Sequence, residues 1–479
     1  MFQTRKRVLT NNVKDSLWYT LGNYLFRFSS VLTNLVINNI LGVTAAGAIT
    51  YINALDQNID LLYSPLRSAL ERKLPQLRRD NNGASVTFVA NVFMLNYILI
   101  IVGSVIFGLV YMFSKNELVR TGALLFIGIN AVKSLSFLLR IYHKSLLGFK
   151  TISFVLIAIS LVQPIVMIYL SQVLGYSGFF WGKLIVFILS LILLFVFLTE
   201  RPIHLKELNL GVIKQIYSLG FPLVLYSILS ILILTVDKFF IEEFLGLKEL
   251  GIYGVSTMLF QTLLLLPVSI YGTYYPKFIA KVGDQRDNIF IISEIVTLIL
   301  LPVVGFSWFL IEPLLALILP DFLAASDSCK IFMITVLFAG SYQMFYMDLI
   351  RKNLIMKVNF LSIMIIAGSL VVYHFTLTTY GTIESVAIVT SIVFILVAIC
   401  NICLSMMSMG FSIIDVLIYI MKKISILAVL LPLFFMDIFD KFYLNSQWLG
   451  FFGFLLLYVP MLLRSLRKGV ILKVLFQNE

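Results

Sequence analysis

Polar and charged side chains recur at helical spacing inside apolar stretches, and these are the residues that could do chemistry. Asn23, Arg27, Ser30, Asn34 and Asn38 fall at i, i+4, i+7, i+11 and i+15, one face of a 3.6-residue helix. Asn53, Asp56, Asp60, Ser64 and Arg67 repeat the pattern, and Asn130, Lys133, Phe137, Arg140 and Lys144 form a third stripe. An ionised group at mid-membrane costs about 2.5–3.5 kcal/mol on insertion scales, so each one calls for a partner, water or a ligand. At about 1.5 Å per residue, Arg27 lies roughly 16 Å into its stretch and Asp56 roughly 12 Å into the next, running the other way, which makes them nearly level. Two readings follow. Arg27 and Asp56 pair and brace two helices, or Arg27 is a cavity cation that receives an anionic headgroup while Asp56 or Asp60 orients it or holds a coupling ion. With Lys133 and Arg140, Arg27 would form a rising series of cations; Arg140 and Lys144 also suit ordinary interfacial snorkelling.

The second half is less charged. Tyr253, Thr257 and Gln261, then Tyr342, Gln343 and Tyr346, offer rings that stack on sugar faces and amides that bond hydroxyls, and they equally suit inter-helix contacts. Asp237 and Lys238 read as an interfacial pair, and Glu294 and Asp348 as helix-end groups. Cys400 and Cys403 form a C-x-x-C inside an apolar run without acidic or histidine neighbours, so they read as core. His143, His204 and His374 make no metal-ligand constellation; no metal and no cofactor is expected. Pro65, Pro164, Pro222, Pro267, Pro302 and Pro432 lie in or beside the apolar stretches, where they can kink helices and free a carbonyl, as structural bends or as hinges for rocking.

The elements that must position these groups are membrane helices. In 479 residues, 60% are hydrophobic and 13% charged, and the mean hydropathy is +1.00, whereas a soluble domain has about a quarter charged. The fold class is an all-α polytopic membrane protein with about fourteen spans, placed near 16–40, 48–70, 86–113, 118–141, 151–173, 179–199, 216–240, 250–275, 289–311, 328–349, 359–378, 385–408, 424–440 and 448–464. Arg5, Lys6 and Arg7 are followed by polar residues rather than a cleavable leader pattern, so the first span is expected to remain. Lys and Arg divide 27 to 7 between the two sides, with Arg27 and Lys133 inside spans, which puts both termini in the cytoplasm. That asymmetry accounts for the net charge of +12 without nucleic acid. The loops are short, no soluble domain is left to host catalysis, and no nucleotide-binding Gly-Lys loop is present, so an enzyme is not expected.

The chain also repeats itself. Leu41-Gly42-Val43-Thr44-Ala45-Ala46-Gly47-Ala48 aligns with Leu245-Gly246-Leu247-Lys248-Glu249-Leu250-Gly251-Ile252 at an offset of 204. Leu74-Pro75 aligns with Tyr275-Pro276, and Lys144-Ser145-Leu146-Leu147 with Lys352-Asn353-Leu354-Ile355, at similar offsets. Six spans per repeat, an even number, predict two like-oriented six-helix lobes related by a pseudo-two-fold along the membrane normal. The expected divisions are an N-lobe over 1–205, a C-lobe over 206–410, and spans 13 and 14 with a tail over 411–479, with substrate between the lobes.

A Leu-Gly-x-x-x-x-Gly turn between spans 1 and 2, repeated between 7 and 8 with Pro closing the next span, resembles the polysaccharide-transport branch of the MOP superfamily. That superfamily includes O-antigen and capsule repeat-unit flippases, lipid II flippases and MATE drug exporters. The resemblance implies two lobes rocking in alternating access around a central cavity; without an ATP-binding loop in the sequence, the expected drive is an ion gradient (H+ or Na+) or the membrane potential. The implied cargo is an undecaprenyl-pyrophosphate-linked oligosaccharide crossing the bacterial inner membrane, with a polysaccharide polymerase as a possible partner. It also implies a groove for the lipid tail at the last two helices, and places Arg27 where a first-helix cation meets the pyrophosphate. Two rivals stand beside it: a MATE-like cation-coupled exporter of cationic drugs, which Asp56 and Asp60 favour and Arg27 and Lys133 oppose, and a membrane glycosyltransferase or polymerase, for which the outward loop at Glu312–Asp327 is short.

Overall fold

The computed structural model describes residues 2–79, 84–146, 148–198, 209–218, 221–280, 286–427 and 453–462, and among these every regular element is a helix. The order is α1 (Phe2–Leu41), α2 (Val43–Arg79), α3 (Ala84–Phe113), α4 (Glu117–Ser145), α5 (Phe149–Val196), α6 (Leu210–Ser218), α7 (Phe221–Ala280) and α8 (Arg286–Ile318). A 3-10 turn (Pro320–Phe322) leads into α9 (Ala325–Ser341), α10 (Gln343–Arg351), α11 (Ile355–Thr379), α12 (Ile383–Ser408) and α13 (Ile413–Leu427), and a final helix covers Gly453–Leu462. Eight of the described helices are long and apolar enough to cross a membrane. The first two are not among them, because the polar stripes that single them out also lower their mean hydropathy. The fifth and seventh each contain two expected spans, divided at Gly175 (φ 61°) and Gly246 (φ 85°). The span expected at 424–440 lies outside the described residues apart from the end of α13, as do His204, Pro432 and the basic C-terminal tail.

The chain forms two compact units, Met1–Glu242 with Gly246–Gly251, and Glu243–Leu245 with Ile252–Glu479. In the first, α1 packs along α5, and α4 packs on α2, α3 and α5. In the second, α9 and α12 pack together, with α8 against α9 and α11 against α12. Trp18, Leu21, Leu25, Phe28, Leu32 and Val36 are exposed along one side of α1, an apolar stripe that suits lipid.

The two longest helices, α5 and α7, break at glycines, while the prolines leave a different mark. A proline within a helix removes the hydrogen bond to the carbonyl four residues earlier, and in three cases a hydroxyl takes that carbonyl. Pro65 leaves Leu61 O to Ser64 Oγ at 2.9 Å, and Pro164 leaves Ser160 O to Ser29 Oγ at 2.6 Å, which joins α5 to α1. Pro302 leaves Leu298 O to Tyr458 Oη at 3.2 Å. Phe454, one turn earlier on the final helix, packs against Gly305, where any side chain would collide with its ring. Removing the Tyr458 hydroxyl strands a buried carbonyl, so Tyr458→Phe is expected to lower stability by about 1 kcal/mol, read as a shifted denaturation midpoint in detergent; an unchanged midpoint refutes the role.

Both glycines that open the repeated turn have positive φ, +78° at Gly42 and +85° at Gly246, which side chains resist. The second glycines are also matched: a Cβ on Gly47 would collide with Leu247 O, and one on Gly251 with Val43 O. Val43 and Leu247 are themselves repeat partners, so the two turns meet in a reciprocal backbone contact.

Candidate functional site

On α2, Asn53, Asp56, Asp60, Arg67 and Glu71 lie within one narrow arc, and eighteen residues of helix carry them about 27 Å, close to the thickness of a hydrocarbon core. Cations from neighbouring helices meet this face rung by rung. Lys183, on the second half of α5, donates to Asn53 Oδ1 at 2.8 Å. Lys133 on α4 donates to both oxygens of Asp56, at 2.6 and 2.7 Å, and lies 3.3 Å from Asp60 Oδ1. Arg67 grips Asp60 with two nitrogens, at 2.6 and 2.9 Å, the bidentate geometry its planar fork favours. At the cytoplasmic end expected from the charge asymmetry, Lys144 meets Glu71 at 2.6 Å.

This wall is held from behind. Tyr63 Oη donates to Asn130 Oδ1 at 3.0 Å, Ser134 Oγ to Asn96 Oδ1 at 2.8 Å, and Ser136 and Ser190 share a hydrogen bond of 3.0 Å. These bonds fix α4 to α2, α3 and α5, so its cations stand on a rigid base.

Phe137 stands at the centre of the basic stripe. Its ring centroid lies 5.1 Å from the Arg67 guanidinium, 5.6 Å from the Lys133 ammonium and 5.0 Å from the Arg140 guanidinium, within cation–π range for all three. Arg140 also lies 5.8 Å from the Phe26 ring of α1. Unlike Arg67 and Lys133, Arg140 has no hydrogen-bond acceptor or carboxylate among the described residues; it meets the two rings and interacts electrostatically with Tyr19 of α1. Five cations, Lys183, Lys133, Arg67, Arg140 and Lys144, face three carboxylates, Asp56, Asp60 and Glu71, leaving two positive charges in excess.

Several sequence expectations change here. Asp56 pairs with Lys133 rather than Arg27, and both members of that pair are buried. Arg27 is exposed and follows Phe26, which reaches Arg140; Arg140 is seven residues, about 10 Å, along α4 from Lys133. Arg27 therefore stands nearer the level of Arg140 than of Asp56. The depth count assumed upright helices entering at fixed boundaries, whereas α1 runs unbroken from Phe2 and packs along α5. Asn34 is half-buried on the flank of α1 that carries Arg27. Lys183 joins the wall because the turn at Gly175 brings the second half of α5 back past α4; its ammonium sits 4.7 Å from the Phe126 ring. No stripe in the sequence signalled it.

In the second unit, Tyr253 is fully buried, with its hydroxyl 3.2 Å from Thr390 Oγ1. It is a core side chain rather than a surface for ligand, because its hydroxyl is satisfied inside the helix packing. Gln261, Tyr342 and Gln343 are half-buried, and the two glutamines hydrogen-bond to no described residue. Asp237 and Lys238, expected at the interface, are buried: the Lys238 ammonium donates to Leu234 O at 2.5 Å and its amide to Asp237 Oδ1 at 2.9 Å. Asp348, in the last turn of α10, accepts from Arg351 at 3.1 Å, Lys352 at 2.7 Å and Ser405 at 2.9 Å, whereas Glu294 lies inside α8 and pairs with Lys422 of α13.

A profile of the polysaccharide biosynthesis protein family matches residues 66–326, more than half of the chain. The chain belongs to that family. The matched stretch contains Arg67, Lys133, Phe137, Arg140 and Lys183, whereas Arg27, Asp56 and Asp60 precede it. No curated protein matches the chain in sequence. In structure it is similar to an inward-facing multidrug resistance MATE family transporter of the MOP superfamily, with a TM-score of 0.67 and 13% identity over 80% of this chain and 94% of that one. It is similar to the lipid II flippase MurJ in an inward closed conformation, with a TM-score of 0.63 and 15% identity over 94% of this chain and 99% of that one. A MOP superfamily transporter from Pyrococcus furiosus matches with a TM-score of 0.55 and 16% identity, over 83% and 95% of the two chains. The fold of this family member is thus the helical membrane fold of MOP superfamily transporters.

Proposed function

We propose that the protein is a flippase that carries an undecaprenyl-pyrophosphate-linked oligosaccharide repeat unit from the cytoplasmic to the outer leaflet of a bacterial inner membrane, with both termini in the cytoplasm. The observation that carries this reading is Arg140, a guanidinium clasped by Phe26 and Phe137, with no acceptor among the described residues, on a wall whose cations outnumber its acids. A diphosphate supplies what that wall lacks, two negative charges and oxygens for Arg140's unused donors. Arg27, exposed on α1, is a second donor for the same headgroup. In the second unit, the half-buried amides and ring of Gln261, Gln343 and Tyr342 are groups whose chemistry suits glycan hydroxyls, and the lipid tail stays in the bilayer.

A MATE-like exporter of cationic drugs needs carboxylates free to receive a cation, yet Asp56 and Asp60 are both engaged by Lys133 and Arg67, which favours the anionic cargo. The driving force is an ion gradient or the membrane potential, and a polysaccharide polymerase is the partner that would consume the flipped unit.

In cells lacking their own repeat-unit flippase, Arg140→Ala is expected to reduce surface polysaccharide at least tenfold at unchanged membrane abundance, the equivalent of about 1.4 kcal/mol or more of lost binding. Arg140→Lys keeps the charge and loses the fork, so it should retain part of the activity. Full surface polysaccharide from well-folded Arg140→Ala would overturn the reading.

A further inference from the structure

Asp56 and Asp60, one helical turn apart on α2, stood out in the sequence as carboxylates that could hold a coupling ion, and the structure shows what they hold. Both Asp56 oxygens accept from Lys133 Nζ, and Asp60 Oδ1 lies 3.3 Å from the same ammonium and 2.9 Å from Arg67 Nη2. The remaining oxygen, Asp60 Oδ2, accepts from Arg67 Nη1 at 2.6 Å. All four carboxylate oxygens are taken, and two negative charges balance two positive ones. A hard metal cation needs several oxygen ligands of its own, and the described residues contain no group of three or more acidic, histidine or cysteine side chains able to hold a metal ion.

We propose that the Lys133 ammonium is the resident cation of this site: a monovalent ion tethered to α4 that fills the position between Asp56 and Asp60 and leaves them without affinity for Na+ or K+. The burial of Lys133 and Asp56 supports a permanent occupant, since a buried carboxylate left without a positive partner would not stay ionised. The coupling assigned to these acids by the sequence then falls away: any Na+ dependence of transport arises elsewhere, and α2 and α4 move as one body joined by this ammonium. The inference rests on the wall geometry and holds whatever the cargo, so its test needs no transport.

The test is thermal unfolding of the full chain in detergent at constant ionic strength, with Na+, choline or n-propylammonium as the cation. Wild type is expected to melt at the same temperature in all three. Lys133→Ala keeps Cβ and removes three carbons and the ammonium, which n-propylammonium replaces; it should melt lower in choline and recover, saturably, with n-propylammonium and to a lesser degree with Na+. Asp56→Asn in the Lys133→Ala background should abolish that recovery. Na+-dependent stabilisation of wild type that Asp56→Asn removes would overturn the proposal, and so would a folded Lys133→Ala that neither cation stabilises. Should Lys133→Ala not fold, the double variant Lys133→Ala/Asp56→Asn, which buries no unpaired charge, is expected to be recovered as monodisperse protein; failure of both would also overturn it.

Discussion

Asp56→Ala is expected to destabilise the protein by about 3–5 kcal/mol, the usual consequence of breaking a buried ion pair from one side. The size follows from what remains. Lys133 would keep one contact, at 3.3 Å with Asp60, and Asp60 is already gripped by Arg67 at 2.6 and 2.9 Å. One carboxylate, Asp60, would then serve two cations, one of them the buried Lys133. Phe137 cannot compensate, because its ring already faces Arg67, Lys133 and Arg140. Removing the cation as well should restore most of the loss, since apolar replacement of both members of a buried pair is often neutral. Asp56→Leu/Lys133→Met should accordingly unfold in detergent at a denaturant concentration close to wild type, while Asp56→Ala unfolds much earlier. If the double variant were no better than the single, the pair would owe its importance to something other than charge balance.

Gly47→Ala is expected to cost about 3 kcal/mol, the upper end of overpacking penalties, and Gly251→Ala a similar amount. Each new methyl would run into a backbone carbonyl, Leu247 O for Gly47 and Val43 O for Gly251. Overpacking against a flexible side chain is relieved by a rotamer change, whereas a carbonyl in a helix can retreat only with its helix. Gly42 provides the internal comparison: it has φ +78° and open space around its Cβ position, so Gly42→Ala carries only the backbone strain of a left-handed residue, about 1–2 kcal/mol. Thermal unfolding of the three alanine variants should rank Gly42→Ala as the mildest. Equal melting temperatures for Gly47→Ala and wild type would show that the turns do not meet as described.

Much of the site was legible as stripes. The set Asp56, Asp60 and Arg67 on α2, and the set Lys133, Phe137 and Arg140 on α4, each share a face because 3.6-residue periodicity is a local property of the chain. The matching of the two turns was legible for a similar reason: Gly42 and Gly246 both adopt a positive φ that other side chains resist, so the same backbone demand appears twice in the sequence, 204 residues apart. Composition and length then required membrane helices.

Partner choice was not legible. Periodicity fixes a residue's direction around its own axis and says nothing about which helix stands opposite, so the depth count offered Asp56 to Arg27, and only the packing of α4 against α2 gave it Lys133. Lys183 lacked any stripe and reached Asn53 because a glycine turns α5 back on itself. In sequence Tyr253 suited a sugar or a neighbouring helix equally, and in the structure it is core, since a tyrosine satisfied by Thr390 and one waiting for a sugar have the same sequence. The sequence by itself determined that the chain crosses a membrane, which residues line each helix face, and where its two glycine turns lie. Only the tertiary structure decided which charges cancel and which remain, because cancellation depends on distances of about 3 Å between helices far apart in the chain.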